Sequence, residues 1–201
     1  NEPDVVAYLE AVRTDLAENL DIFLDDNEDQ AAIAYASLDK KMPRRYLVNL
    51  LVHQKNDEVP VVVEDNPTYH NLFGYVENVT FKGTVFTDYS LIRPGSIHKA
   101  NGGYLLMDAI KVLEQPFVWD GLKRALRSKS IMINSLEREL TLSGTISLEP
   151  EAIPLNVKIV LFGDRETWML LQEYDPEFAE LFRVTADFEN EMRRTPESQL
   201  L

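Results

Sequence analysis

The sequence predicts an α/β fold with a mainly parallel sheet, preceded by an acidic helical segment. Aliphatic stretches of strand length alternate with stretches of helical periodicity from residue 45 onwards, which is the order expected when helices connect parallel strands. Two strand-like stretches, 104–107 and 157–163, are apolar almost throughout, and parallel strands that are covered on both faces have this composition. Residues 1–30 hold ten acids and a single base, so they form a part of different character.

The acidic segment begins with the pattern of an amphipathic helix. Apolar side chains recur in steps of four and three, with acids on the other face, at Val5, Leu9, Val12, Leu16, Leu20 and Phe23. Pro3 suits the first turn of such a helix, and a second short helix is predicted at 29–38. Two interpretations remain open: the helix lies on its own domain, or it is one limb of a projecting arm whose other limb lies outside this chain.

From residue 45 the sequence predicts strands and helices in alternation. Asn66-Pro67 breaks the chain after the second strand, and Gly102 or Gly103 supplies a left-handed stop after the helical turns at 94–101. The predicted elements are strands at 46–52, 59–64, 104–107 and 157–163, a hairpin or long strand within 139–150, and helices at 71–77, 94–101, 108–113, 117–128, 165–173, 176–182 and from about 187.

Composition narrows the class of function. The net charge of −14 disfavours nucleic-acid binding, because a phosphate backbone needs a positive footprint. The absence of cysteine excludes disulfides and cysteine-ligated zinc and agrees with a cytoplasmic protein. His53, His70 and His98 lack the spacing of metal ligands, so we expect structural roles for them. The sequence shows no apolar run that could span a membrane and no signal-peptide pattern.

Three charged residues stand where predicted strands and helices meet. Asp108 ends the first apolar strand and Asp164 follows the second, at the end of the strands where open α/β sheets place their ligands. A carboxylate there can hold magnesium while the metal bridges terminal phosphates, although each Asp also suits the cap of the following helix. Arg183 follows a predicted helix; it is either an ordinary surface arginine or a guanidinium that reaches a neighbour's phosphate.

The sequence lacks parts that a complete catalyst would need. A phosphate-cradling loop requires the motif Gly-x-x-x-x-Gly-Lys-[Ser/Thr], and no Gly-Lys dipeptide occurs among the eight glycines. Ser128-Lys129-Ser130 lies at a predicted helix end without a supporting base or oxyanion loop. We therefore expect the 201 residues to be catalytically inactive by themselves.

Five blocks, in order, resemble the ATPase region of Lon-related ATP-dependent proteases, in the bacterial branch that carries a long insert in its ATPase module. The resemblance covers roughly residues 44–196. The blocks are EDNPTYHNLFGYVE (64–77), SLIRPGSIHKANGGYLLMDA (90–109), WDGLKRALR (119–127), SLEPEAIPLNVKIVLFGD (147–164) and YDPEFAELFRVTADFE (174–189).

This resemblance implies an AAA+ (P-loop NTPase-like) core that binds ATP and Mg²⁺ and assembles into a homohexameric ring. The family unfolds protein substrates and cleaves them as a serine endopeptidase with a Ser-Lys dyad, which this chain lacks. By position, Asp108 corresponds to the magnesium ligand of the Walker B strand, Asp164 to the sensor-1 residue and Arg183 to the arginine finger. Residues 1–43 correspond to the end of the helical insert, and 44–201 to part of the AAA+ core.

Two departures from the family pattern favour an alternative. Ala109 replaces the glutamate that would polarise the attacking water, and Asp164 replaces the usual asparagine, so that a carboxylate would face the γ-phosphate. The alternative is a non-hydrolysing AAA+ scaffold for oligomerisation and substrate handling. The acidic segment is also a candidate docking surface for unfolded or basic substrates. Phe81, Phe86 and Tyr89 are candidate pore-loop aromatics, although aromatic residues in strands usually belong to the core.

Overall fold

A computed structural model describes residues 3–20, 46–54, 58–81, 84–133, 148 and 150–189, except for the side chains of 80–86. Its elements, in chain order, are α1 (Pro3–Glu18), β1 (Val61–Glu64), α2 (Tyr69–Phe73), β2 (Tyr75–Val76), β3 (Val79–Phe81), β4 (Thr84–Phe86), a 3₁₀ turn (Tyr89–Leu91), β5 (Ile92–Arg93), α3 (Ser96–Lys99), β6 (Tyr104–Asp108), α4 (Ala109–Glu114), α5 (Val118–Ser128), β7 (Ser130–Ile131), β8 (Ile153–Pro154), β9 (Lys158–Phe162), α6 (Arg165–Tyr174) and α7 (Phe178–Leu181).

The centre of the fold is a three-stranded parallel sheet in the order β1-β6-β9. Leu106 of β6 lies between Val63 of β1 and Val160 of β9 in the register of the sheet. The pairs β2–β5, β3–β4 and β7–β8 are antiparallel. The predicted α/β class with a parallel sheet is therefore confirmed. Among the described residues, no helix is both long and apolar enough to cross a membrane.

One face of the sheet forms the hydrophobic core. Leu105 and Met107 of β6 are almost completely buried, and they belong to one cluster with side chains from the helices on that face. Full burial of a leucine-sized side chain contributes roughly 1.5–3 kcal/mol. The helical members of the cluster with no exposed surface are Leu72, Ile97, Val112, Val118 and Leu122.

The opposite face of the sheet is uncovered in the described part of the protein. Val61 and Val63 of β1 are each 62% exposed, and Phe162 of β9 is 54% exposed. Side chains two residues apart in a strand point to the same face, so these residues, with Val160, form one apolar surface. The expectation that the apolar strands are covered on both faces is therefore wrong for the described residues, because the buried helical side chains cluster on the face of Leu105 and Met107.

Helix α1 confirms the first predicted helix. None of its side chains is buried, and Val5 and Leu9 of its apolar stripe are more than half exposed. It is joined to the start of the core region by the hydroxyl of Tyr46, which donates to the carboxylate of Asp15 at 2.7 Å. The stripe is thus only partly covered by described residues: Val12 and Leu16 are partly buried. The predicted helix at 29–38 and most of the hairpin or long strand predicted within 139–150 lie outside the described residues, and the boundary between 1–43 and 44–201 remains a prediction.

The predicted strand at 46–52 is wrong. No strand occurs between 46 and 54, because side chains rather than a backbone ladder hold this segment. Asn49 donates to the carbonyl oxygens of Tyr89 and Ile92, and the hydroxyl of Tyr89 donates to the carbonyl of Leu47. Val48 remains 73% exposed.

One helix prediction needs correction, and another falls mostly outside the described residues. The helix predicted at 71–77 is α2, which ends earlier because Gly74 adopts a φ of +74° and the next two residues pair with β5. The helix predicted from about residue 187 is absent from the described residues 187–189. The strands at 59–64, 104–107 and 157–163 and the helices at 94–101, 108–113, 117–128, 165–173 and 176–182 are confirmed within a few residues.

The Asn-Gly-Gly stretch before β6 has a structural explanation. The side chain of Asn101 donates to the carbonyl of Pro154 at 2.9 Å and accepts from the backbone N–H of Asn156 at 2.8 Å. Gly102, with a φ of +87°, supplies the predicted left-handed stop. Gly103 passes so close to β1 that a Cβ there would lie 1.9 Å from the carbonyl oxygen of Pro60. The stretch fixes the start of the central strand against both neighbours.

His98 makes the stability of the fold depend on pH. The side chain is 4% exposed, and burial lowers its pKa to about 4. Its Nδ1 accepts the N–H of Gly95 at 3.2 Å, so the proton of the neutral ring lies on Nε2, which has no partner. Because the folded pKa is below the unfolded value of 6.5, the unfolded state binds more protons between the two values. Stability from this group is complete above pH 6.5 and is lost as the pH falls toward 4.

We expect the free energy of unfolding to fall by roughly 3 kcal/mol over this window because of His98. Urea unfolding of wild type and His98→Asn at pH 7 and pH 4.5 measures the effect. The Asn variant keeps an acceptor for Gly95 and should lose less stability on acidification. His70→Asn, which changes an exposed histidine, should behave as wild type. Equal losses in wild type and His98→Asn would contradict the prediction.

Candidate functional site

Asp108 and Asp164 lie at the same edge of the sheet, on neighbouring parallel strands. Asp108 is the last residue of β6 and stands opposite Phe162 of β9. Asp164 follows Phe162 by two residues. The expected adjacency of the two strands is therefore present, and both acids are at the carboxyl end where open α/β sheets bind their ligands.

Asp108 is held in place by the helix that it caps. One carboxylate oxygen accepts the backbone N–H of Lys111 at 3.1 Å, and the residue is partly buried. No contact to its second carboxylate oxygen occurs within the described part of the protein. An oriented carboxylate with spare acceptor capacity suits Mg²⁺, which prefers one or two protein carboxylates together with phosphate oxygens and water. The residues present therefore fit a magnesium ion.

Asp164 also caps a helix and carries a charge. Its carboxylate accepts the backbone N–H of Thr167 at 2.6 Å. This backbone bond, a side-chain bond from Thr167 and a backbone bond from Glu166 lower the pKa of Asp164. The group is therefore ionised at neutral pH. It can accept hydrogen bonds but cannot donate one to a phosphate oxygen.

The position after Asp108 carries no acid. Ala109 is 5% exposed, and a Cβ added to Gly163 would lie 3.2 Å from its methyl group. The two strand ends thus approach each other through small residues. This close approach leaves little room for a longer side chain between them.

A third acid at this edge was missed by the sequence reasoning. Glu64 ends β1, in register with Met107, and the available signal was an acid after three valines. Its carboxylate accepts from the hydroxyl of Ser96 and from the backbone N–H of Asn66. These bonds give Glu64 a structural role in joining β1 to α3.

Arg183 is exposed and is bonded within its own segment. It follows α7, and its Nε donates to the carbonyl oxygen of Glu180 at 2.9 Å. Among the described residues, no hydrogen bond or ion pair joins Arg183 to Asp108 or Asp164. The structure therefore brings the two acids together and leaves the guanidinium on the surface.

A groove of about 480 Å³ runs along the free edge of β9. Asp164 and Ala109 are in its wall, whereas Asp108 and Arg183 are not. β6 occupies one edge of β9, and no strand pairs with the other edge among the described residues. The wall is mainly apolar and is formed by β9, by α6, by residues in and after α7 and by 184–188, and its aromatic side chains are Phe162, Trp168, Phe178, Phe182 and Phe188.

Of the three candidate pore-loop aromatics, the structure describes the side chain of Tyr89 but not those of Phe81 and Phe86. Tyr89 is partly buried, and its hydroxyl is bonded to the carbonyl of Leu47 at 2.8 Å. These contacts favour a structural role for Tyr89. Phe81 and Phe86 belong to the paired strands β3 and β4, but their side chains lie outside the description.

Most of the described core matches one protein family. A family model described as "LonB-like, AAA domain" matches residues 57–189. Two curated proteins, each named "Putative Lon protease homolog", are similar to the chain. The one from Escherichia coli (strain K12) is 28% identical over 133 residues, and the one from Haemophilus influenzae is 32% identical over 82 residues.

The chain spans only a part of these relatives. The alignments cover 66% and 41% of this chain, but 21% and 13% of the two proteins. The crystal structure of NtrX from Brucella abortus is 16% identical, with a TM-score of 0.38, and the alignment covers 62% of this chain and 25% of that chain. That likeness is too weak to carry an argument.

Proposed function

The chain belongs to the LonB-like AAA domain family, and on that premise we propose that it supplies the Walker B, sensor-1 and arginine-finger positions of an ATPase module in a Lon-related protein. The observation that carries the proposal is the placement of Asp108 and Asp164 at the ends of neighbouring parallel strands. Membership of an AAA domain family agrees with nucleotide binding in general. The nucleotide that we propose is ATP, bound together with Mg²⁺.

Asp108 is the residue that would hold Mg²⁺, directly or through water. When bound, the metal would neutralise part of the charge on the terminal phosphates. The cap bond to Lys111 orients the carboxylate before any ligand arrives, which lowers the entropic cost of positioning it. Asp164 would face the terminal phosphate as a second, ionised group.

The phosphate loop would come from a segment outside these 201 residues. Such a loop joins a strand to a helix. The free edge of β9 and the groove beside it offer a place for that strand, and the uncovered apolar face around Val61, Val63 and Phe162 offers a surface for the helix. A parallel sheet normally has both faces covered. These features support docking of the strand, loop and helix that would carry the phosphate-binding motif next to Asp164.

At the level of the complete protein, we propose a homohexameric ring that couples ATP hydrolysis to the unfolding of protein substrates. Arg183 would reach the nucleotide of the neighbouring subunit, which agrees with its exposed position. Cleavage would be carried out by a Ser-Lys peptidase elsewhere in the polypeptide, in the cytoplasm.

The test is phosphate release from ATP by the complete polypeptide that contains this chain. We expect Asp108→Asn to lower turnover by at least about tenfold to a hundredfold, since even a residue that only supports a metal ligand typically has this effect. Glu114→Gln changes an exposed acid outside the proposed site, and turnover should stay at the wild-type level. Equal phosphate release by wild type and Asp108→Asn would refute the proposal.

A second candidate is a scaffold that does not hydrolyse ATP. Two observations favour it: Ala109 provides no group to activate water, and the carboxylate of Asp164 is ionised where it would repel a γ-phosphate. This candidate predicts cleavage of a short unstructured peptide by the complete protein without nucleotide. A strict requirement for ATP in that assay would exclude it.

A further inference from the structure

We propose that Trp119, Lys123 and Asp175 form a positioning cluster that fixes the direction in which Arg183 leaves the domain. The inference rests on the proposed function, because it gives these residues a role in the reach of Arg183 toward a neighbouring subunit. None of the three lies at the carboxyl edge of the sheet with Asp108 and Asp164. They act through Arg183 rather than on the nucleotide.

The cluster joins α5 to the loop between α6 and α7. The carboxylate of Asp175 accepts the indole N–H of Trp119 at 2.6 Å and the ammonium of Lys123 at 2.9 Å. Its other oxygen accepts the backbone N–H of Glu177 at 3.0 Å. One carboxylate therefore sets both the position of α5 and the first turn toward α7.

The charges of this cluster are shielded from water. The side chains of Lys123 and Asp175 are 14% and 13% exposed. Burial opposes both charges, yet the bonds between them lower the pKa of Asp175 and raise that of Lys123. Both groups are ionised at neutral pH, and charge-assisted bonds in a shielded site are stronger and more directional than neutral ones.

An aromatic stack continues from the cluster to Arg183. The rings of Trp119 and Phe182 are stacked, with centroids 5.8 Å apart and planes at 19°. Phe178 lies 5.2 Å from Phe182 and 6.2 Å from Trp119. Phe182 immediately precedes Arg183, so the indole fixes the backbone from which the guanidinium extends.

Helix α5, which carries Trp119 and Lys123, also connects to Asp108, the candidate ligand of Mg²⁺. Asp108 caps α4, and Val112 of α4 shares the buried core with Leu122 of α5. A movement of α4 would therefore be passed to Trp119 and onward to Phe182. Fixed geometry of this kind matters for catalysis, because a displacement of about 1 Å can cost up to a hundredfold in rate.

The test uses the complete polypeptide and two conservative variants, Asp175→Asn and Trp119→Phe. Asp175→Asn keeps the shape but removes the charge, and Trp119→Phe keeps an aromatic ring but removes the N–H donor. We expect each to lower kcat for ATP hydrolysis by about tenfold and to leave the KM for ATP unchanged. Arg127→Gln breaks an exposed ion pair with Glu177 between the same elements, and it should leave kcat at the wild-type level.

Mixed assemblies separate positioning from general damage. Asp175→Asn subunits keep Asp108, and Asp108→Asn subunits keep a correctly held Arg183. Turnover of a mixed assembly should therefore exceed the average of the two unmixed variants. A parallel mixture combines Arg183→Ala subunits with Asp108→Asn subunits. If turnover recovers in that mixture but the Asp175→Asn mixture stays at the average, the positioning inference is overturned while the proposed function stands. Absence of recovery in both mixtures would instead refute action of Arg183 across subunits.

Discussion

Gly103→Ala is expected to destabilise the fold strongly through a clash with the backbone of Pro60, the residue before β1. The added Cβ would lie 1.9 Å from the carbonyl oxygen of Pro60. That carbonyl accepts the N–H of Tyr104 at 2.8 Å, so the clash falls on the bond that starts the pairing of β1 with β6. The obstacle is backbone, which cannot move aside by changing a rotamer.

We expect a loss of roughly 3 kcal/mol in the free energy of unfolding, which combines overpacking with a lost hydrogen bond. For a domain of this size, the melting temperature would fall by roughly 10 °C. Gly102→Ala is the matched control, since no atom lies within 4 Å of its added Cβ. Its free energy of unfolding should fall by only about 1 kcal/mol, because the alanine must adopt a positive φ. Equal melting temperatures for the two variants would contradict this account of the Gly-Gly pair.

Arg183→Ala is expected to lower ATP turnover of the complete protein by about a thousandfold, which is the lower end of what arginine fingers contribute. The reason is electrostatic: the guanidinium would stabilise charge that develops on a neighbouring subunit's phosphates. Affinity for ATP should change little, because Arg183 does not line the groove beside Asp164 and makes no hydrogen bond or ion pair with either acid among the described residues.

The stability of the fold should not change in this variant. Arg183 is exposed, and its guanidinium donates to the carbonyl oxygen of Glu180; surface changes of this kind usually stay within about 0.5 kcal/mol. Lys99→Ala removes another exposed positive charge and serves as the control for net charge. Arg183→Lys should recover little activity, because an ammonium lacks the planar fork of donors. Turnover of Arg183→Ala within about threefold of wild type would exclude a finger role.

The candidate site was predictable where it depends on local pattern and on one topological rule. Asp108 and Asp164 each follow an apolar strand and precede a helix. Parallel strands joined by helices bring such positions to one edge of a sheet. Sequence reasoning could therefore place the two acids together without a structure. The helix α1 was predictable for a similar reason, because a period of three to four residues is a local property.

Other parts depended on contacts between distant residues. The segment 46–52 has the composition of a strand, but Asn49 and Tyr89 hold it by side-chain bonds across about forty positions. Trp119 and Asp175 are 56 positions apart, and no motif pairs an indole with a distant acid. The free edge of β9 could not be predicted either, because an apolar strand has the same composition whether it pairs with one neighbouring strand or with two.

By itself, the sequence determined the alternation of strands and helices, the family and the placement of both acids at strand ends, since these follow from short-range periodicity and chain order. Only the tertiary structure decided which face of the sheet is covered, why Gly103 cannot carry a side chain and how Arg183 is anchored through Phe182. Those features arise where segments far apart in the chain meet, and the packing of such segments is set by their combined shape rather than by the local pattern of either one.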